Sequence, residues 1–444
     1  MARYGSLAGL FCLMLSSLLA GCAEASLTPT ASPEVSTATP EAAPPTQTAA
    51  APPTEAAEPQ HPLLMAHYMP WYQTPEVSGY WGWHWTMDHF DPRQEDDAGR
   101  AEIASHYYPL TGPYDSRDRL ILEYQTLLMK VSGIDGVIVD WYGIEDFWDY
   151  GVINASTHRL FDAVAEAGLR FAICYEDQTI KHMVDNNHLS VEVAHDHGQE
   201  VMTYLQEIWF GTEPYLKADG RPVLLVFGPQ YFKSVSDWDT LFSVLEERPV
   251  FITLDGHTEA AATSTFPWPP MWASTNGVLT RERLDQYLTA FYRKAERWDY
   301  RVAGAFPGFH DIYEEAGVGD SYGYLDPAEG ETFGATLQAA LSQDPDVIQL
   351  VTWNDYGEGT IIEPTVEFGY RYLEQVQETR RATDDEDFPF DAEDLRLPLQ
   401  LLEARRNYAS DPSANARLDE AFSAMISGKP REAATILADY VETP

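Results

Sequence analysis

Val347-Ile348-Gln349-Leu350-Val351-Thr352 leads directly into Trp353-Asn354-Asp355-Tyr356-Gly357-Glu358-Gly359-Thr360-Ile361-Ile362-Glu363-Pro364. The first six residues are an apolar, β-rich run, the pattern of a parallel strand buried on both faces. The chain then turns, and the turn carries two carboxylates, Asp355 and Glu358, with Trp353 and Tyr356 interleaved. A buried strand that exits into a polar, aromatic turn is how a (β/α)8 barrel presents chemistry at the C-terminal ends of its strands.

The same pairing recurs along the chain. Further strands are expected at Leu64–Tyr68, Gly136–Asp140, Phe171–Tyr175, Val223–Phe227, Val250–Leu254 and Val302–Phe306, with a weaker one at Pro270–Ser274. Helical patterns fall between them over Arg117–Val131, Thr157–Ala167, Val191–Trp209, Trp238–Glu247 and Leu279–Trp298. Strands alternating with helices predict the α/β class and a (β/α)8 TIM barrel over residues 62–388. A doubly wound open sheet is the alternative, but no glycine-rich phosphate loop follows the first strand. Beyond it, Leu397–Asn407 and Ala414–Tyr440 read as amphipathic helices of a short C-terminal appendage, residues 389–444. Such an appendage props a barrel or, as a helical-repeat fragment, meets a partner.

The formal charge of −42, from 28 basic against 70 acidic side chains, excludes an electrostatic grip on nucleic acid and disfavours one on anionic lipid. Aromatic residues make up 13% of the chain, and many sit beside Gly, Pro and His in loop contexts that suit stacking against sugar rings. Arg3 and the apolar stretch Leu7–Leu15 open a segment too short for a comfortable membrane span. It ends in Leu19-Ala20-Gly21-Cys22, which resembles a bacterial lipobox whose cysteine becomes the lipidated first residue. Residues 1–22 are thus expected to be a lipoprotein signal peptide. The protein would be exported and anchored to the bacterial cell membrane through Cys22, its globular part extracytoplasmic. An ordinary signal peptide cut nearby is the alternative. Residues 23–61, rich in Pro, Thr and Ala, should be a disordered spacer. Cys12 and Cys22 belong to the leader, so Cys174 stands alone in the mature domain and reads as a small core residue.

Function should gather at the strand exits. The first strand leads into His67-Tyr68-Met69-Pro70-Trp71-Tyr72 and on to His84-Trp85, the second into Asp140-Trp141-Tyr142-Gly143, and the third into Tyr175-Glu176-Asp177. The fifth leads to Asp255-Gly256-His257 and the seventh to Phe309-His310-Asp311. Asp355 and Glu358 are the candidate catalytic pair, because acetal hydrolysis needs one carboxyl to donate a proton and another to accept one. Candidate substrate contacts are Tyr68, Trp71, Tyr72, His84, Trp85, Asp140, Trp141, Tyr142, Glu176, His257, Trp353, Asn354 and Tyr356. Asp140 and Glu176 read equally as hydrogen-bonding residues of the rim, and Glu363 as structural. No metal or cofactor is expected. There is no H-E-x-x-H, and His195-Asp196-His197 on a helix points its rings apart. His67 and His106 suit sugar contacts better than metal ligation. A G-x-S-x-G elbow and a P-loop are also missing from the sequence.

Two sets of motifs carry a resemblance. Tyr68-Met69-Pro70-Trp71-Tyr72, His84-Trp85 and Tyr107–Asp118 resemble glycoside hydrolase family 99, endo-α-mannosidases and endo-α-mannanases on a (β/α)8 barrel. Its terminal motif, N-E-W-H-E-G-T-x-I-E, is matched from Asn354 to Glu363 except that Asp355, Tyr356 and Gly357 replace Glu, Trp and His. Those replacements, and Asp140-Trp141-Tyr142-Gly143, are instead similar to glycoside hydrolase family 71, the α-1,3-glucanases. The resemblance covers about Leu63 to Arg380. It implies hydrolysis of an α-linked oligo- or polysaccharide, with an α-mannan-like chain favoured over α-1,3-glucan. Family 99 chemistry implies Asp355 as base toward the sugar 2-hydroxyl and Glu358 as acid/base toward the leaving oxygen. Family 71 chemistry implies the same pair acting with a water and inverting the anomeric centre. From another class, a glycan-capturing surface lipoprotein without turnover fits the aromatic content, though both carboxylates are retained. A third reading gives the acidic surface and terminal helices to assembly with protein partners.

Overall fold

The computed structural model describes residues 61–257, 262–383 and 388–440. The expected leader, the lipidation site Cys22 and the spacer up to residue 60 lie outside them. Eight parallel strands form the centre: β1 Leu63–Tyr68, β2 Gly136–Trp141, β3 Arg170–Tyr175, β4 Arg221–Val226, β5 Val250–Leu254, β6 Ser264–Phe266, β7 Val302–Ala305 and β8 Val347–Leu350. They pair in the order β6-β5-β4-β3-β2-β1-β8-β7, all in parallel register. This is a (β/α)8 barrel whose sheet is hydrogen-bonded all round except between β6 and β7.

Helices pack outside: α1 Arg119–Ser132, α2 Tyr150–Glu166, α3 Ala194–Leu205, α4 Val235–Phe242, α5 Arg281–Ala295, α6 Glu331–Leu341 and α7 Arg371–Thr383. Their ends are set by local chemistry. Asp118 accepts from the Leu120 N–H at the start of α1, and Gly133 closes its other end at φ +85°. Ser234 and Asp237 form a reciprocal capping box on α4. Helices α6 and α7 complete the expected alternation at positions whose spans were not read from the sequence.

The sixth strand is displaced from its expected position. Ser264-Thr265-Phe266 forms it, while Met271–Ala273 within the expected run is a single 3-10 turn. Two prolines, Pro269 and Pro270, deprive that run of the N–H donors a ladder needs.

At the C-terminus α8 (Leu397–Asn407) and α9 (Pro412–Ile426) pack on α1, and α10 (Pro430–Leu437) packs on α8 and α9. Leu127 of α1 joins Leu401, Leu418, Met425 and Leu437 in one buried cluster. Arg405 spans the seam, donating to Glu123 at 2.6 Å and to Asp419 at 2.8 Å. The stretch expected as one helix from Ala414 to Tyr440 is two, because Gly428 turns left-handed at φ +69° and Pro430 starts afresh. No helix among the described residues is long and apolar enough to cross a membrane.

Candidate active site

Strand parity decides what faces the barrel axis. Met65, Ile138, Cys174, Leu225, Ile252, Phe266, Val302 and Val347 form the apolar interior. Two residues further along their strands, the same inward positions become His67, Asp140, Glu176 and Gln349, so polarity begins where the strands end. Gln349 Nε2 donates to His67 Nδ1 at 2.9 Å, which leaves the His67 Nε2 proton pointing to Asp140 Oδ1 at 4.0 Å. Burial holds the His67 ring neutral, its pKa lowered to about 3.

Past β8, Asn354–Asp355 pairs antiparallel with Thr360–Ile361, and the connecting turn carries Glu358. Thr352 pins this hairpin, accepting from the Asp355 N–H at 2.8 Å and donating to the Thr360 carbonyl at 2.6 Å. Gly359 sits at φ +66°, where a Cβ would meet the His310 carbonyl oxygen at 2.6 Å. The loop after β7 holds the turn from behind: the His310 N–H donates to the Glu358 carbonyl at 2.8 Å and the Ile312 N–H to that of Gly357 at 3.0 Å.

The two carboxyls of the turn are treated differently. Asp355 Oδ1 accepts the Glu358 N–H at 2.9 Å. Burial raises Asp355 to about 6, while that N–H, the charge of His84 and the Gly357 N–H restrain the rise, and Asp311 adds to it. Glu358 is pushed well above the ordinary glutamate range, first by burial and then by Asp355, Asp311 and Asp140, with the Trp268 side chain opposing. Its Oε2 is buried without a protein partner. Glu176 is raised by burial, Asp140, Asp177 and Glu358, and Asp140 by burial and Asp355. Carboxyls from β2, β3 and β8 therefore sense one another at one mouth. Such a cluster titrates in steps, and burial together with the neighbouring carboxylates favours the protonated form of Glu358. That is the electrostatic division a base and an acid require.

Around this pair the structure brings together Trp71, His84, Tyr142 and Glu176 from the expected contacts. Trp71 stacks on His84 with centroids 4.3 Å apart and planes within 6°, and lies 6.1 Å from Tyr142. His84 Nε2 meets Asp149 Oδ2 at 3.3 Å. Tyr68 and Trp141 require correction, because parity points them outward. Tyr68 donates to Gln125 of α1 at 2.6 Å and Trp141 to Asn154 of α2 at 3.0 Å, so both sit in the helix-packed layer rather than at the mouth.

Asn354 is a knot rather than a sugar contact. It is fully buried, accepts from the Met69 N–H at 2.8 Å, and donates to the Met69 carbonyl and the Tyr114 hydroxyl, each at 3.0 Å. Tyr72 ties the same two loops, donating to the Asn354 carbonyl and accepting from the Tyr356 N–H. Trp85, Trp353 and Tyr356 are fully buried beside them. Glu363 is structural: Gln125, Tyr114 and Tyr356 donate to it at 2.7 to 2.9 Å, and burial raises it to about 7. His257 contacts the Pro229 carbonyl at 3.1 Å on the rim beyond β5.

Sequence reasoning missed Trp268 and Asp149 as parts of this site, and placed Asp311 on the rim without giving it a role. Trp268 lies just past β6, edge-on to His67 at 4.9 Å; placing the sixth strand too late put it on the wrong side of that strand. Asp311 is fixed by the Tyr322 N–H at 2.8 Å and the Ser321 hydroxyl at 2.9 Å. His67, Asp140 and Cys174 place one possible ligand atom each within 4.8 Å of one another.

Comparison with known proteins agrees with this architecture. Residues 59–258 match the sequence profile of Glycosyl hydrolase family 99, a span that ends before the Asp355–Glu358 turn. A Glycoprotein endo-alpha-1,2-mannosidase-like protein of Danio rerio is 25% identical over 326 residues, 67% of this chain and 70% of the relative. The Glycoprotein endo-alpha-1,2-mannosidase of Mus musculus is 25% identical over 336 residues, 69% of each chain. The solved family 99 endo-alpha-mannosidase of Bacteroides thetaiotaomicron superposes with a TM-score of 0.55 at 20% identity, covering 73% of this chain and 99% of its own. Barrel, carboxylate-lined mouth and relatives converge: the chain is a glycoside hydrolase, similar over part of its length to family 99.

Proposed function

We propose that this glycoside hydrolase cleaves an α-mannan-like polysaccharide, with Asp355 as base and Glu358 as acid. The observation that carries the assignment is the unequal treatment of two carboxyls on one turn. The Asp355 carboxylate is held by the Glu358 N–H at 2.9 Å, whereas Glu358 presents a buried, unpartnered Oε2 and is pushed by burial toward its protonated form. Glu358 delivers that proton to the glycosidic oxygen as the bond to the anomeric carbon breaks. In an α-mannoside the 2-hydroxyl lies trans to the leaving group. It attacks the anomeric carbon from the opposite face while its proton passes to Asp355. Water then opens the strained ring at the anomeric carbon, giving a proton to Glu358 while Asp355 returns its proton to the 2-oxygen, and the original configuration is kept. The curated relatives named for endo-α-1,2-mannosidase activity support the mannose assignment.

A second reading rests on the Trp353-Asn354-Asp355-Tyr356-Gly357-Glu358 sequence itself, which resembles family 71. There Asp355, one methylene shorter than glutamate, leaves room for a water, which attacks directly and inverts the centre. Digestion of α-mannan and α-1,3-glucan, with proton NMR of the first-formed anomer, separates the two. Retention on mannan supports the first reading and inversion on glucan the second. Binding without new reducing ends overturns both in favour of a capture protein. The lipobox-like Leu19–Cys22 supports export and a lipid anchor on Cys22. Mass spectrometry of the mature N-terminus tests this, and an unmodified Cys22 contradicts it.

A further inference from the structure

At the floor of the mouth, three side chains of metal-binding type meet. His67 on β1, Asp140 on β2 and Cys174 on β3 face inward near the ends of neighbouring strands, each with a donor atom within 4.8 Å of the other two. All three are buried, and Cys174 belongs to the apolar interior with Met65, Ile138 and Leu225. Two of the donors are unsatisfied: neither His67 Nε2 nor Asp140 Oδ1 has a protein hydrogen-bond partner, and they face each other across 4.0 Å. Buried polar atoms left so are costly, and two that face across a gap call for a group between them. No spacing in the sequence announces the set, because each donor comes from a different strand.

We propose that His67 Nε2, the Asp140 carboxylate and Cys174 Sγ form a site for a divalent cation of zinc type. Imidazole, thiolate and carboxylate are its usual donors, and two anionic donors beside a neutral imidazole cancel its double charge within the buried site. Donors about 2.0–2.3 Å from a tetrahedral ion stand about 3.4–3.6 Å apart. His67 and Asp140 therefore need to close by about half an ångström, and Cys174 by about 1.2 Å at most. An outer partner is also in place. The Gln349 amide lies 2.9 Å from His67 Nδ1, and its Oε1 has no partner. Turned over, the amide accepts the Nδ1 proton and leaves the Nε2 lone pair to the cation, as ligating histidines are commonly held. Binding releases the Cys174 proton, and any on Asp140, to solvent, while the imidazole stays neutral. The ion cross-links the ends of β1, β2 and β3, and the site stands whether or not the chain cleaves a glycan.

The probe is Co2+, added to the whole protein after reduction and removal of metal with a chelator. A thiolate bound to cobalt gives an intense near-ultraviolet charge-transfer absorption that cobalt held by oxygen or nitrogen alone lacks. Wild type should develop this band and saturate at one ion per chain, and Zn2+ should bleach it by taking the site. Cys174→Ser should lose the band, and Gln349→Leu should weaken cobalt binding about tenfold. Asp140→Asn, which keeps the shape and drops a charge, should also weaken binding by at least about tenfold, and it decides the matter if Cys174→Ser fails to fold. A wild type without the band overturns the site and leaves a water-bridged His67–Asp140 pair. A band that survives Cys174→Ser puts the metal on another cysteine and overturns it too, as does Asp140→Asn binding cobalt as tightly as wild type.

Discussion

Asp355→Asn should stabilise the protein while disabling it. Asp355 is 4% exposed, and its folded pKa is raised from 3.8 to about 6. Because the folded state prefers the protonated acid, holding the carboxylate ionised costs native stability above pH 6. A tenfold change in ionisation is worth about 1.4 kcal/mol, so the penalty at pH 8 is about 3 kcal/mol. Asparagine keeps the oxygen that accepts the Glu358 N–H and carries no charge. At pH 8 the variant should therefore gain about 3 kcal/mol, a Tm rise of roughly 4 °C in a domain of this size. The sign of the pH dependence follows. The folded wild type takes up a proton as pH falls through 6 and the unfolded chain only near 3.8, so the gain shrinks across that window and vanishes below it. Urea unfolding at about pH 8 and about pH 4, followed by tryptophan fluorescence, reads both ends. A variant less stable than wild type at pH 8, or a gain that ignores pH, would refute the electrostatic account of this site.

Two further outcomes are expected. The acid limb of kcat/KM should have its midpoint near 6, where Asp355 loses its ionised form, and a profile flat down to about pH 4 would remove Asp355 as the base. Asn354→Ala strands the buried Met69 N–H, the Met69 carbonyl and the Tyr114 hydroxyl, at about 1–3 kcal/mol for each group left unsatisfied. Urea unfolding should show a loss of about 3 kcal/mol or more, and a loss under about 1 kcal/mol would show that the loops after β1 and β8 are tied otherwise.

The barrel was legible because most of its strands are nearly continuous apolar runs, a pattern that survives without knowledge of partners. The sixth was not, since Ser264-Thr265-Phe266 has only one large apolar residue and takes its burial from its neighbours. That slip hid Trp268. The pair Asp355 and Glu358 could be read because glycines and aromatics mark a turn straight after a core strand. Their unequal electrostatics could not, because Asp140, Glu176 and Asp311 arrive from other strands and only closure of the barrel brings them near. Tyr68 and Trp141 show the opposite error. Both sit at strand ends, but a strand alternates faces and a position one residue off points into the helices.

The most direct test of the paired-carboxylate account is Glu358→Gln assayed on α-mannan and on an α-mannosyl fluoride, whose leaving group needs no proton. The account predicts that kcat/KM on mannan falls about 10³-fold, within the range for loss of a general acid, while kcat/KM on the fluoride, set by a first step that needs no acid, is largely spared. A variant that cleaves mannan as fast as wild type, or loses both substrates equally, contradicts it.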